Sequence, residues 1–304
     1  MMEVYLMGTG GMAPLDNRYL TGLFTEINGK GILIDCGEGM QMAFRAHDVK
    51  MSKIDVIFIT HNHGDHIVGL PGLLLSIGNC SRTEPIDIYM PKSCVQIVNA
   101  LMSVCSNLPY EVRIHVLDKT TASFKLPQID PMLTVNTIKL KHSVECVGYN
   151  LVLDKKPVFN PDKAKALNVP IKMWKVLHSG ESVTLDDGTV VTTKDVTDGN
   201  RDSIKITYVT DTLPFYGIAE FAKDSDLFIC EGMYGDSDKL QSMNQKKHML
   251  MQNACYLASQ ANVKELWLTH YSPAMMNPER YKKELTTLFK NVVISVDGQH
   301  KSYN

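Results

Sequence analysis

An α/β fold whose two sheets present side chains at a common edge is the architecture this sequence predicts. Two observations carry that expectation. Strand-length apolar or alternating runs are interspersed with helical patterns in both halves of the chain. A buried strand also runs repeatedly straight into a polar residue of metal-ligand type. "VIFITH" ends at Thr60–His61, "LWLTH" at Thr269–His270, "ILIDCGEG" passes Asp35, and "ITYVTDT" passes Asp211. Side chains mounted on strand ends are held rigidly, as a chemical site needs.

The elements follow in order. "EVYLM", "GLFTEI", "GILID", "VIFIT" and "DIYM" read as strands bounded by Gly, Asn and Pro. Helical pattern covers 37–47, the region of 69–78 and the region of 93–106. Near the start, "GTGGMA" (Gly8 to Ala13) fits a GxGxxA dinucleotide fingerprint with Asp35 downstream. That chemistry needs a helix N-terminus against the pyrophosphate. Pro14 and a second strand follow instead, so a glycine-rich turn is expected. Residues 154–202 are polar and Pro-punctuated and fit a core poorly. Strands return with "IKITYVTDT" and "DLFICEG", then a helix is predicted over 246–261 from apolar Leu250, Ala254, Leu257, Ala258 and Ala261. "KELWLTHYS" is again a strand, and Trp267 reads as core. No solenoid period is present. The expectation is one domain over 1–304 with 154–202 inserted into it.

Composition bounds the function. Hydrophobic residues make up 44% of the 304 residues and charged ones 21%, an ordinary globular balance. A net charge of −2 gives no global attraction to nucleic acid, so any basic surface is local. No run of about 18 apolar residues exists to span a membrane, and the N-terminus shows no signal-peptide pattern. The seven cysteines are scattered without a CxxC, which points to reduced thiols and a cytoplasmic protein.

The chemistry concentrates in "THNHGDH". His61, His63, Asp65 and His66 are ligands suited to zinc, without the thiolates of structural sites. They must lie on a loop past the strand, where Gly64 permits a tight turn. Four near-adjacent ligands cannot close around one ion. The spacing suggests two histidines on one metal, with Asp65 and His66 on a second. His142 in "KLKHSVECVGY", Asp211 and His270, each following an apolar strand, are the candidates to complete both sites. Asp211 is the natural bridge, since a carboxylate can offer one oxygen to each ion. His47, His115, His178 and His300 have no such setting and read as structural or exposed.

Residues 2–77, 136–150 and 203–272 resemble the metallo-β-lactamase fold, an αββα sandwich of two sheets flanked by helices. Through "DCGEGMQ", "HSVECVGY" and "HMLMQNACYLASQANVKELWLTH" the chain is similar to the ribonuclease Z family. That resemblance implies two Zn2+ per subunit, with Mn2+ or Fe as alternatives. It places His61, His63 and His142 on one ion, Asp65, His66 and His270 on the other, Asp211 between them, and Asp35 behind a ligand histidine. It implies a metal-activated attack of water on a phosphodiester, with Asp65 also accepting the water's proton. His248 would stabilise the phosphorus centre and protonate the leaving oxygen, oriented by Glu231. The family's usual histidine before that glutamate is Cys230 here.

The inserted arm carries Lys163, Lys165, Lys172 and Lys175 with Phe159 and Trp174 between them. The resemblance makes it an exosite gripping a tRNA precursor, in a homodimer, through phosphate contacts. Two departures touch that role: "IKMWKV" replaces a Gly-Pro-rich tip, and "THYSPAMM" lacks an arginine usual shortly after His270. The alternative expectation is a phosphodiesterase for small cyclic or alkyl esters on the same di-zinc scaffold. A β-lactamase, a redox di-iron protein and a non-catalytic RNA-binding subunit fit the full ligand set less well.

Overall fold

Along β1 (Met2–Gly8), Met2, Val4 and Leu6 are buried while Glu3 and Tyr5 are partly open, and this period of two sets one sheet on its core. The computed structural model describes residues 1–199 and 201–304. β1 joins β2 (Gly22–Ile27), β3 (Lys30–Ile34), β4 (Ile54–Phe58), β5 (Ile86–Pro91), β6 (Val112–Leu117) and β18 (Gln299–Tyr303) in the order β18-β1-β2-β3-β4-β5-β6. The β3–β4, β4–β5 and β5–β6 pairs are parallel. Their crossovers are the helices α1 (Met40–Ala46), α2 (Gly64–Ile67) with α3 (Leu70–Gly78), and α4 (Val95–Met102). Phe24, Leu33, Ile57 and Ile88 pack against Phe44, Leu70, Leu74 and Val98 of those helices.

A second sheet has the order β17-β16-β15-β14-β9-β8-β7. Its strands are β7 (Ser123–Lys125), β8 (Leu133–Lys139), β9 (Val147–Lys155), β14 (Arg201–Val209), β15 (Leu227–Glu231), β16 (Leu266–Thr269) and β17 (Val292–Ile294). β14 to β17 pair in parallel. Helices α7 (Tyr216–Ala222), α8 (Leu240–Lys246), α9 (Met251–Gln260) and α10 (Lys282–Leu288) lie in their crossovers. Phe228 and Leu268 pack with Ile218, Ala254, Leu257 and Leu285. The two sheets face each other: the rings of Phe58 and Tyr149 are 4.9 Å apart, and Tyr149 Oη donates to the Ile59 carbonyl at 2.7 Å. Thr21 and Tyr208 pair their hydroxyls at 2.8 Å between the same layers. This is the expected pair of sheets flanked by helices. In such parallel sheets the open crevice lies beyond the carboxyl ends of the strands, where Asp35, His61, Asp211 and His270 all stand.

One predicted helix needs correction. The pattern over 246–261 suggested a continuous helix with His248 at its start. The structure ends α8 at Lys246, turns left-handed at Lys247 (φ 55°), and begins α9 only at Met251. His248 sits in the link, so its position follows from the break and not from helix periodicity.

Leu153–Ile204 forms a compact unit of its own, apart from Met1–Val152 with Lys205–Asn304. It contains the short strands β10 (Val158–Phe159), β11 (Val183–Thr184), β12 (Val190–Val191) and β13 (Thr197–Asp198), and the helices α5 (Pro161–Ala166) and α6 (Ile171–Ser179). Asn160 caps α5 by accepting from the Asp162 and Lys163 amides, and Gly180 ends α6 at φ 105°. Ala164, Val169, Leu177, Val183, Val191 and Val196 form a small core, with Phe159 and Trp174 packed on it. The segment that looked too polar for a core therefore holds one. Among the described residues no helix is long and apolar enough to cross a membrane.

With so few buried side chains, this unit is sensitive to a single cavity. Leu177→Ala is expected to destabilise it by about 2–5 kcal/mol. Hydrogen exchange over 160–196 should quicken while the amides of β4 and β15 stay protected.

Candidate metal centre

The loop after β4 places three histidines and an aspartate at the sheet edge. His61 and His66 are fully buried and His63 is partly open. His61 Nε2 lies 3.0 Å from His63 Nδ1, and His142 Nε2 lies 3.2 Å from that same atom. The other nitrogens of two of these rings are already committed. His61 Nδ1 donates to Thr60 Oγ1 at 2.9 Å, and His142 Nδ1 donates to the Lys247 carbonyl at 3.1 Å. At least two imidazole lone pairs therefore converge at one point, which is repulsive unless a cation or a proton sits among them.

A second group mirrors the first. His66 Nε2 and His270 Nε2 are 3.2 Å apart, and Asp65 Oδ2 is 3.6 and 3.4 Å from them respectively. Asp211 reaches both groups. Its Oδ1 is 3.4 Å from His66 Nε2 and 3.3 Å from His270 Nε2, while its Oδ2 is 3.6 Å from His61 Nε2 and 3.8 Å from His142 Nε2. Ligand atoms about 2.0–2.2 Å from a tetrahedral ion stand roughly 3.3–3.6 Å apart. The spacings of both groups, 3.0–3.8 Å, lie around that range, so the donor set fits divalent metal. His61, His63, His142 and Asp211, and likewise Asp65, His66 and His270, have ligand atoms within 4.8 Å of one another.

Backbone geometry makes the convergence possible. Asp35, Asp211 and His270 each adopt a left-handed conformation, at φ 63°, 50° and 58°. This region is sparsely populated by non-glycine residues and costs energy that the surroundings must hold. Each residue turns its side chain sharply off the end of its strand.

Behind the ligands stands Asp35, fully buried. Its carboxylate accepts the Thr60 amide (2.8 Å), the Thr60 hydroxyl (2.9 and 3.0 Å) and His66 Nδ1 (2.8 Å). It thereby orients His66 directly, and His61 through Thr60. Burial acts most strongly on His61, His63 and His142 and pushes their pKa down, so these rings are neutral and ready to ligate. Burial also opposes the charge on His66, but Asp211, Asp35 and Asp65 together outweigh it and raise His66 to about 10. The histidines His270 and His66 outweigh burial in turn and hold Asp65 and Asp211 below the ordinary carboxylate range.

His248 and Glu231 are paired beside this centre. His248 Nδ1 donates to Glu231 Oε2 at 2.9 Å, and the Thr212 amide donates to Glu231 Oε1 at 2.5 Å. Burial works against the charge on His248, yet Glu231 and the nearby aspartates raise it to about 9. Cys230, in place of the expected histidine, is buried with its thiol against Met249 Sδ and leaves the pair intact. His63, Asp65, His142, Asp211, His248 and His270 border a cavity of about 290 Å³ that Met12, Ser143 and Lys246 also line.

Two contributors escaped the sequence reading. The Met12 amide, at φ 69°, donates to Asp65 Oδ2 at 2.7 Å. Gly11 has no room for a side chain, because an added Cβ would come within 2.7 Å of the His270 ring. The glycine-rich turn is thus the wall of the site. Lys247 is the other: its carbonyl receives His142 Nδ1, and its Nζ donates to the His142 carbonyl at 3.0 Å. Backbone groups carry no residue-type signature, so neither contact was visible in the sequence. His115 and His300 pair instead with Asp87 and Glu3, away from the cluster.

Within the arm unit the four lysines divide. Lys163 donates to the Thr197 carbonyl and pairs with Asp198 at 2.9 Å, and Lys165 pairs with Asp162 at 3.3 Å. Lys172 and Lys175 are exposed on α6. Trp174 spends its indole N–H on the Val169 carbonyl and packs with Phe159, which makes the aromatic pair part of the arm's own core and not an open stacking surface.

The Ribonuclease Z of Lachnoclostridium phytofermentans is 43% identical over 297 residues, covering 98% of this chain and 96% of that protein. The chain belongs to the ribonuclease Z family. The family model described as Anti-Pycsar protein Apyc1 also matches, over residues 2–189, so the chain belongs to that family as well. Human tRNase Z, short form, superposes with a TM-score of 0.68 at 23% identity, covering 99% of this chain and 98% of that one. The metallo-β-lactamase fold protein YhfI of Bacillus subtilis gives 0.70 at 18%, covering 99% and 100%. These two likenesses show the metallo-β-lactamase fold.

Two outcomes follow from the geometry. Asp35→Asn leaves one oxygen to serve both Thr60 and His66, so affinity for zinc is expected to fall about 10- to 100-fold, measured by chelator competition. Zinc uptake at pH 8 should release at least one proton, that of His66, with none from the His61, His63 and His142 rings, which are already neutral. Calorimetry in buffers of different ionisation enthalpy reads that number, and affinity should rise with pH up to about 10.

Proposed function

We propose that this chain is a zinc-dependent endoribonuclease that removes 3′ trailers from tRNA precursors. The observation that carries this reading is the double donor set sharing Asp211, with the Glu231–His248 pair beside it. His61, His63 and His142 would hold one zinc and Asp65, His66 and His270 a second, with Asp211 between the two groups. Metal held there would supply Lewis acidity for activating water and for the phosphodiester oxygens. Manganese or iron are the other metals this donor chemistry accepts.

The chain's own residues do the rest. Asp35 fixes the ring of His66. Asp65 has Oδ2 directed at His66, His270 and the Met12 amide, which leaves Oδ1 to accept a hydrogen bond from the attacking water and orient it. His248 has its Nδ1 fixed by Glu231 and is held protonated at neutral pH, so it can donate to the departing 3′ oxygen. Lys172 and Lys175 give the arm two uncommitted cations for RNA phosphates, with Lys163 and Lys165 as weaker contributors because they are already paired. A homodimer in the cytoplasm is the assembly and place that suit this activity.

A second reading keeps the centre and changes the substrate to a small cyclic or alkyl phosphodiester. The cavity of about 290 Å³ and the internal pairing of two arm lysines favour it.

The test incubates zinc-loaded protein with a trailer-bearing tRNA precursor and, separately, with bis(p-nitrophenyl) phosphate, using Asp211→Ala as the contamination control. Cleavage at the base of the trailer supports the first reading, and turnover of the ester alone supports the second. The role of His248 has its own signature. An RNA 3′ oxygen needs a proton to leave and p-nitrophenolate does not. His248→Ala is expected to slow precursor cleavage by about 10²–10⁴ while largely sparing the nitrophenyl ester.

A further inference from the structure

Lys246 is, among the described residues, the one lysine or arginine that lines the cavity over the metal-type ligands. Of the other charged liners, Asp65 and Asp211 are directed at the histidine groups, and His248 is paired with Glu231. We propose that Lys246 is a specificity-determining residue that holds a second phosphate of a polynucleotide, next to the one that is cut. This rests on the phosphodiester-cleaving centre common to both readings above and names the feature that would separate a polymer from a small ester.

The position of Lys246 is fixed although its side chain is exposed. It is the last residue of α8, and the left-handed Lys247 follows at once. The His248 amide then donates back to the Met243 carbonyl at 3.1 Å, closing the helix end. Lys247 grips His142 in both directions, carbonyl to ring and ammonium to carbonyl. The backbone of Lys246 is therefore mounted two residues from His248, on a link that is also tied to His142. The two adjacent lysines have different uses: Lys247 is spent on His142, whereas Lys246 has no ion pair among the described residues.

The charge balance indicates what Lys246 would meet. A diester with one phosphate is fully served by the ions at the scissile position. A polynucleotide brings a further negative charge beside that position, and Lys246 is the cation of the protein standing there. A plain helix-end lysine, favoured by the dipole of α8 alone, would affect the stability of that helix and be indifferent to the number of phosphates.

The experiment counts phosphates. Turnover of bis(p-nitrophenyl) phosphate by the zinc-loaded protein is inhibited with a dinucleotide carrying one phosphate and a trinucleotide carrying two. In the unaltered protein the second phosphate should tighten inhibition about three- to tenfold at low salt, with the gain fading as salt rises. Lys246→Gln should lose that gain and Lys246→Arg keep it, with ester turnover and zinc content unchanged in both. An equal gain in the unaltered protein and in Lys246→Gln overturns the proposal. Precursor tRNA cleavage is measured in parallel, where Lys246→Gln should show a salt slope shallower by about 0.7. A precursor left uncut while the trinucleotide gain depends on Lys246 defeats the ribonuclease reading and supports this one. A precursor cut with the same slope by both proteins defeats this one and leaves the ribonuclease reading standing.

Discussion

The Asp211 carboxylate, turned left-handed off the end of β14 and buried between two groups of imidazoles, is the constraint on which the rest of the site depends. A carboxylate in that position would be intolerable alone, since an ion removed from water needs close partners. Four histidine nitrogens lie 3.3–3.8 Å from its two oxygens, split evenly between them. The arrangement gives each oxygen its own cluster and makes the two clusters one unit. Removing that side chain would leave two sets of imidazole lone pairs without their shared counter-charge.

Around Asp211 each layer of structure exists to hold a direction. β4 and β14 come from different sheets, and the Tyr149 and Thr21–Tyr208 bonds between the layers fix their separation. Asp35 fixes the ring of His66 and, through Thr60, that of His61. Lys247 fixes His142, and the Gly11–Met12 turn presses on His270 and Asp65. The partners of His61, His66 and His142 use up the ring nitrogen that faces away from the centre, which leaves the inward nitrogens available for metal, while the Met12 amide shares Asp65 Oδ2 with the cluster. The pKa directions agree with that division: burial keeps one histidine group neutral, while carboxylates keep His66 and His248 charged.

Much of this was legible because strand ends are marked in sequence. An apolar run followed by His or Asp identified His61, Asp211 and His270 without any structure, and the tight HxHxDH spacing required a loop and two clusters. Contacts made by the backbone were not legible. The Met12 amide and the Lys247 carbonyl serve the site through groups every residue has, and GTGGMA looked like a turn with no further purpose. The helix over 246–261 was started too early because its apolar positions, Leu250 to Ala261, belong to α9 and carry no information on 246–249, where the left-handed Lys247 breaks the chain. The arm misled in the opposite direction. Its small core is assembled from apolar residues scattered from Ala164 to Val196, a pattern no local window detects, and its aromatic residues serve that core.

The central claim is that one carboxylate joins two metal positions. Diffraction from crystals of the zinc-loaded protein, recorded on both sides of the zinc absorption edge, measures this directly. The account predicts two anomalous peaks, one between Asp211 Oδ2 and the rings of His61, His63 and His142, the other between Oδ1 and the side chains of Asp65, His66 and His270. A single peak, or a pair with Asp211 bound to neither, would contradict it.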